Sequence, residues 1–177
     1  INMARNEIRH RARLVLELGA VPPVRASEHR LGPVFLNLLA HAAQAVPEGR
    51  ASENEIRAVT RTDGQGRVVV EVHDTGTGMP PEVLTRIFEP FFTTKPVGVG
   101  TGLGLSICHG IVTSLGGAMQ VDSKPGEGSV FKVIVPASGE RERACPDGPA
   151  APSAGRGRIL VVDDEPLVGR AVQRALS

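Results

Sequence analysis

The chain contains no tryptophan and no tyrosine, and five phenylalanines supply all of its large aromatic side chains. A surface that stacks bases on successive aromatic rings is therefore excluded. Cysteine is nearly absent: Cys108 and Cys145 are too few and too differently placed for a disulfide framework, and a reducing cytoplasm is the expected setting. No charge of one sign dominates. Twenty basic residues face nineteen acidic ones, for a net charge of +1, which gives no reason to expect a nucleic acid or a membrane surface as partner. No apolar run approaches the ~20 residues of a spanning helix, and the amino terminus lacks the apolar core of a signal peptide. What remains is the profile of a globular chain, 41% hydrophobic and 22% charged, whose 177 residues suffice for one buried domain or one domain plus a fragment. Its first and last residues both fall inside predicted helices, so a piece of a longer protein is expected.

The pattern along the chain predicts a helix over residues 1–10 and a strand over 12–18, where Leu14, Leu16 and Leu18 alternate. Residues 31–46 form the clearest helix. Leu31, Val34, Phe35, Leu38, Leu39, Ala42 and Val46 make one apolar stripe, and Pro47-Glu48-Gly49 ends it. Strands over 55–62 and 67–73 are joined by the turn Asp63-Gly64-Gln65-Gly66, with Val68, Val70 and Val72 on one face. A short helix over 80–88 begins with proline. A glycine-rich loop, 98–104, opens a helix over 105–115 that stops at Gly116-Gly117, and a second hairpin spans 118–136. Residues 138–157, rich in Ala, Pro, Gly and charge, predict a flexible linker. Beyond it, 158–163 is an apolar strand ending in acid and 166–176 a helix. The fold class expected for 1–137 is α+β: a two-layer sandwich, a mixed and mostly antiparallel sheet with helices on one face.

Four stretches carry possible chemistry, each with a plain structural alternative. In Asp74-Thr75-Gly76-Thr77-Gly78-Met79-Pro80, an aspartate at a strand end can accept a hydrogen bond from an amine. The glycines let the chain turn and a flat ligand lie close to it; the alternative is a tight turn and no more. In Gly98-Val99-Gly100-Thr101-Gly102-Leu103-Gly104-Leu105, alternate glycines before a helix present N–H groups and a positive dipole end to an anion; the alternative is a flexible surface loop. It is neither a P-loop nor a dinucleotide fingerprint. Phe88, Phe91 and Phe92 are gathered in Phe88-Glu89-Pro90-Phe91-Phe92-Thr93-Thr94-Lys95, as core residues or as the ends of a mobile lid from which Lys95 reaches a phosphate. Asn37, His41 and Gln44 share one edge of the helix over 31–46, facing a ligand and its metal or forming a solvated flank.

Taken in order, these stretches resemble the sensor histidine kinase catalytic domain of the GHKL superfamily, as its N box, first glycine box, F box and second glycine box. The resemblance covers roughly residues 1–136. It implies the Bergerat ATP-binding fold, with ATP and Mg²⁺ as cofactors. It also implies transfer of the γ-phosphate to a histidine on an upstream dimerisation domain, with a homodimer as the full-length state. On this resemblance Asp74 bonds the adenine amine, and Gly76 and Gly78 shape the adenine pocket. Gly100, Thr101, Gly102, Leu103, Gly104 and Leu105 follow the phosphates, Thr94 and Lys95 approach from a lid over 88–100, and Asn37 holds Mg²⁺. The glycines predict that 93–101 is the least ordered stretch of the empty domain.

The chain departs from the family at one motif position. The N box carries a second Asn one turn after the first, and here that residue is His41. Mg²⁺ prefers oxygen to imidazole nitrogen, so a catalytically degenerate nucleotide-binding or scaffold module is the alternative reading. The hydrolysing ATPases of the superfamily carry a catalytic Glu where Asn37 stands, and an amide cannot act as that base. No histidine of the chain has the setting of a phosphoacceptor, so the acceptor is expected upstream of Ile1. Finally, Ile159-Leu160-Val161-Val162-Asp163-Asp164-Glu165-Pro166 resembles the start of a response-regulator receiver domain over 158–177. That resemblance implies Mg²⁺ binding by Asp163 and Asp164; the alternative is that the two acids simply cap the next helix. The partners implied are the dimerisation domain and a receiver in cis or a separate response regulator, with no nucleic acid and no membrane contact in this stretch.

Overall fold

The computed structural model describes residues 8–96 and 100–139, all within the first of two units, Ile1–Ala144. Most of the helix expected over 1–10, Gly98, all but Ser138 and Gly139 of the linker expected over 138–157, and the receiver stretch with Asp163 and Asp164 lie outside the described residues.

Strand β1 (Arg13–Leu18) is followed by helix α1 (Glu28–Ala45) and strand β2 (Glu55–Thr62), and β1 and β2 pair in parallel. A parallel pair needs a crossover, and α1 supplies it. The helix starts one turn earlier than its apolar stripe predicts, after Ser27, whose carbonyl accepts the N–H groups of Arg30 and Leu31 at 3.0 and 3.2 Å. Pro33 thus falls inside the helix, where it removes one backbone hydrogen bond. Burial outweighs that loss: Val34, Leu38, Ala42 and Ala43 are essentially inaccessible to solvent.

Strand β3 (Val68–Asp74) returns antiparallel to β2 through a turn closed by Asp63, whose Oδ1 accepts the N–H groups of Gln65 and Arg67, both at 2.9 Å. Helix α2 is only Pro81–Leu84, shorter than the expected 80–88, because the chain continues past Thr85 in successive turns that bring Ile87 into the core. Helix α3 (Gly104–Ser114) and the hairpin of β4 (Ala118–Lys124) and β5 (Gly128–Val135) complete the domain. The five-stranded sheet runs β1-β2-β3-β5-β4, antiparallel except for β1 with β2. The mixed two-layer α+β sandwich expected from sequence is what forms.

Alternation along each strand separates two faces. Val72 of β3 pairs with Phe131 of β5, and both join Ile56, Leu38 and Val112 in the core beneath α1 and α3. The other face carries cross-strand ion pairs, Arg61 with Glu71 and Lys132 with Asp122, each at 2.7 Å. Such exposed pairs contribute little singly. The leucine alternation of β1 is only partly used: Leu14 packs on the core, whereas Leu16 and Leu18 are exposed, since the helical layer covers only the start of this edge strand. Among the described residues no helix is long and apolar enough to cross a membrane.

Candidate functional site

The apolar stripe of α1 faces the sheet, which turns its polar edge toward the start of α3. Between them lies a cavity of about 260 Å³. Asn37, His41 and Gln44 line it from α1, Thr93, Thr94 and Lys95 from the phenylalanine segment, and Gly100, Thr101, Gly102, Gly104 and Leu105 from the second glycine run and α3. Three of the four sequence stretches expected to meet a ligand converge here. The first N–H groups of α3 have no partner within the helix, and Gly104 and Leu105 at its positive dipole end line this space, an environment that suits an anion. Leu103 does not line the cavity; it caps α3, its carbonyl accepting the Ser106 hydroxyl at 2.9 Å.

The glycines are needed first for contact between motifs. A Cβ at Gly104 would lie 2.7 Å from Asn37 Oδ1 and 2.9 Å from its Nδ2, so the amide rests directly on this residue. At Gly102, φ is +66° and a Cβ would meet the backbone of Phe91 at 2.4 Å. Phe91 donates its N–H to the Gly102 carbonyl at 3.0 Å and takes a φ of +65°, uncommon for a residue with a side chain. That bond ties the early part of the segment expected to act as a lid, 88–100, to the chain just beyond its end. Phe88 and Phe92 pack on the core, as the core alternative holds, while Phe91 is exposed. Lys95 Nζ donates to Gln44 Oε1, tying the segment to α1.

Asp74, Gly76 and Gly78 do not line this cavity. Asp74 is the last inward residue of β3, in register with Ser129, and borders a second, polar cleft at the end of the sheet. Its Oδ1 accepts the Gly76 N–H at 2.8 Å, and the N–H and hydroxyl of the neighbouring Ser129 favour the charged carboxylate. Burial nevertheless raises the Asp74 pKa above its ordinary value, these hydrogen bonds and the nearby His73 opposing the rise. The first glycine pair was expected to leave room for a flat ligand, and the structure fills that room with the protein itself. A Cβ at Gly76 would strike the Ala45 carbonyl oxygen at 2.6 Å; one at Gly78, where φ is +66°, would strike that of Lys124 at 1.8 Å. Gly78→Ala therefore combines backbone strain with a clash against backbone. It is expected to cost at least about 2 kcal/mol and to lower the thermal midpoint visibly. A calorimetric scan matching that of the parent would contradict this packing.

His41 sits above the sheet, its ring centroid 6.2 Å from that of Phe131. Desolvation by burial, and then the charge of Lys95, lower its pKa to about 4, so the ring is neutral at neutral pH. Sequence reasoning missed Ser129, the partner of Asp74, and Ser123, whose hydroxyl accepts the Met79 N–H at 2.8 Å and lies 3.0 Å from Ser129 Oγ. It also missed Cys108, whose sulfur accepts from Asn37 Nδ2 at 3.3 Å. The one sequence signal for the two serines is the short turn between them, which opens strand β5 beside Asp74.

This arrangement, a mixed sheet under two helices with glycine runs around a helix start, is found in known proteins. The family described as "Histidine kinase-, DNA gyrase B-, and HSP90-like ATPase" matches residues 26–139, and the chain belongs to it. It is 40% identical over 174 residues to "Sensor kinase CckA" of Brucella abortus, across 87% of this chain and 18% of that protein. It is 35% identical over 113 residues to "Sporulation kinase C" of Bacillus subtilis, across 64% of this chain and 25% of that protein. The chain thus spans a quarter or less of these relatives. Among solved structures, the catalytic domain of histidine kinase ThkA superposes with a TM-score of 0.61 at 31% identity, over 76% of this chain and 84% of that one. Full-length ShkA in complex with AMPPNP superposes with a TM-score of 0.62 at 27% identity, over 76% of this chain and 29% of that one.

Proposed function

We propose that this chain binds ATP with Mg²⁺ in the cavity between α1 and α3 and acts as the catalytic unit of a sensor histidine kinase. The observation that carries the reading is the convergence of Asn37, Lys95 and the Gly100–Leu105 stretch at the start of α3. Backbone N–H groups of Gly100, Thr101, Gly102, Leu103, Gly104 and Leu105 would follow the phosphates, with Thr94 and Lys95 closing from the phenylalanine segment. Asp74 would accept from the adenine amine of a nucleotide that extends from the cavity past Met79, the residue of this stretch that lines it, with the Gly76 N–H positioning the carboxylate and Gly78 shaping the turn beside it. Asn37 supplies an amide oxygen, the hard donor Mg²⁺ prefers, and phosphate oxygens and water suffice for the remaining positions. Bound there, the ion would neutralise charge on the phosphates. An imidazole nitrogen of the acceptor histidine would then attack the γ-phosphorus as the bond to the ADP oxygen breaks.

The acceptor belongs to a dimerisation domain upstream, in a homodimeric full-length protein. The AMPPNP bound by ShkA supports the choice of nucleotide. We read 158–177 as the start of a receiver domain, with Asp163 and Asp164 as its Mg²⁺ ligands, on the sequence alone. One observation favours a second reading: His41, neutral and half-buried, stands where the family places an oxygen donor, as a degenerate nucleotide-binding module would have it. Radiolabelled ATP given to the full-length protein separates the readings. A kinase yields acid-labile phosphohistidine on the dimerisation domain. Nucleotide binding without transfer supports the degenerate module, and steady phosphate release by this chain alone supports a hydrolase instead.

A further inference from the structure

Of the two amides that line the cavity, Gln44 has its oxygen engaged by Lys95, so Asn37 is the one available to the proposed metal, and its usefulness depends on which end of the amide faces the cavity. Its nitrogen and oxygen differ only in what they touch. Nδ2 donates to Cys108 Sγ at 3.3 Å. The same sulfur lies 3.9 Å from the Val34 carbonyl, one turn back on α1, toward which the thiol hydrogen is directed. Cys108 and Gly104 are one turn apart on α3 and share a face, so the amide lies on Gly104 and is gripped at its nitrogen by Cys108. With the nitrogen held there, the oxygen is the atom left for the cavity that Asn37 and Gly104 both line.

Resting on the nucleotide-binding reading above, we infer that Cys108 is a positioning residue: it holds the Asn37 amide with its oxygen toward the metal and the phosphates. The thiol is not a redox sensor. It is buried, with 3% of its surface exposed, and burial raises its pKa, whereas reactive thiols are exposed and acidic. Its weight is greater here than beside a second amide, because His41 leaves Asn37 without a neighbouring oxygen donor.

The test uses the whole chain and its variants Cys108→Val and Cys108→Ser, titrated with ADP in magnesium and in chelator. Valine is close to cysteine in volume and cannot accept a hydrogen bond, so the thermal midpoint should stay near that of the parent. Partners that orient a metal ligand typically matter at the tenfold level or more, so Cys108→Val should weaken Mg-ADP binding about tenfold and leave chelated ADP binding unchanged. Cys108→Ser, which keeps an acceptor at the site, should recover the magnesium response. A parental magnesium response in Cys108→Val overturns the inference; so does an equal loss with and without magnesium that follows a lowered midpoint, which marks packing alone. The Asn37 side-chain amide in the nucleotide-free parent provides a readout independent of ligand. Two resolved proton signals exchanging slowly with water are expected, and rapid exchange overturns the inference. Failure of the parent to bind ADP would sink the proposed function, while the amide signals would still decide the role of Cys108.

Discussion

Asp74→Asn is expected to weaken ATP binding by one to two orders of magnitude while leaving the fold intact. A hydrogen bond to a charged group is worth about 1.5–3 kcal/mol, or roughly 10- to 100-fold in affinity. The carboxylate is held by the Gly76 N–H, with Ser129 beside it favouring its charged form. In the variant, the amide nitrogen can neither accept from Ser129 nor accept from an adenine amine. Gly76 and Ser129 can keep one oxygen occupied, so the sheet end should persist and the loss should appear in binding. Titration of parent and variant with ATP, alongside their melting curves, checks this. Equal affinities would show that Asp74 serves only the turn, the bland alternative visible in the sequence.

The second large effect concerns His41, where one ring should produce two opposite responses to acid. In the empty domain its pKa is lowered to about 4, whereas an unfolded chain holds histidine near 6.5. The unfolded state therefore binds the proton first as pH falls. The neutral ring's contribution is fully present above about 6.5 and is lost progressively toward 4, by up to about 3 kcal/mol. His41→Asn should remove this loss, so the parent and variant denaturation midpoints diverge below pH 6. Phosphate acts the other way. Its negative charge favours imidazolium, so ATP should bind the parent more tightly as pH falls from 7 to 5, and with less dependence on magnesium than in the variant. In His41→Asn, magnesium dependence should rise and phosphotransfer in the full-length protein should increase. Identical responses of both proteins to pH and magnesium would place the ring outside the site.

Local chemistry made much of this domain legible. The β2–β3 hairpin is set by Asp63 and the glycines after it, and the inner face of β3 by Val68, Val70 and Val72 at alternate positions. The polar edge of α1 could be read because 3.6-residue spacing puts Asn37, His41 and Gln44 on one side, and the cavity lies there. The parallel pairing of β1 with β2 was not legible, since a strand's sequence does not name its neighbour. The residues that fix the site were hidden for the same reason. Ser129 meets Asp74, Cys108 meets Asn37 and Lys95 meets Gln44 only after the sheet and helices assemble. The glycines were legible as a pattern but not in their use. At Gly76, Gly78, Gly102 and Gly104 the space a side chain would take is occupied by the protein's own backbone or by Asn37.

The measurement closest to the heart of this reading is a titration of the isotope-labelled chain with ATP and Mg²⁺, following the backbone amide signals. Saturation at one nucleotide per chain is expected, with the largest shifts at Asn37 and His41, at Asp74 to Gly78, at Thr94 and Lys95, and from Gly100 to Leu105. Unchanged spectra at saturating ATP, or shifts confined to the outer sheet face around Arg61, Glu71 and Lys132, would contradict it.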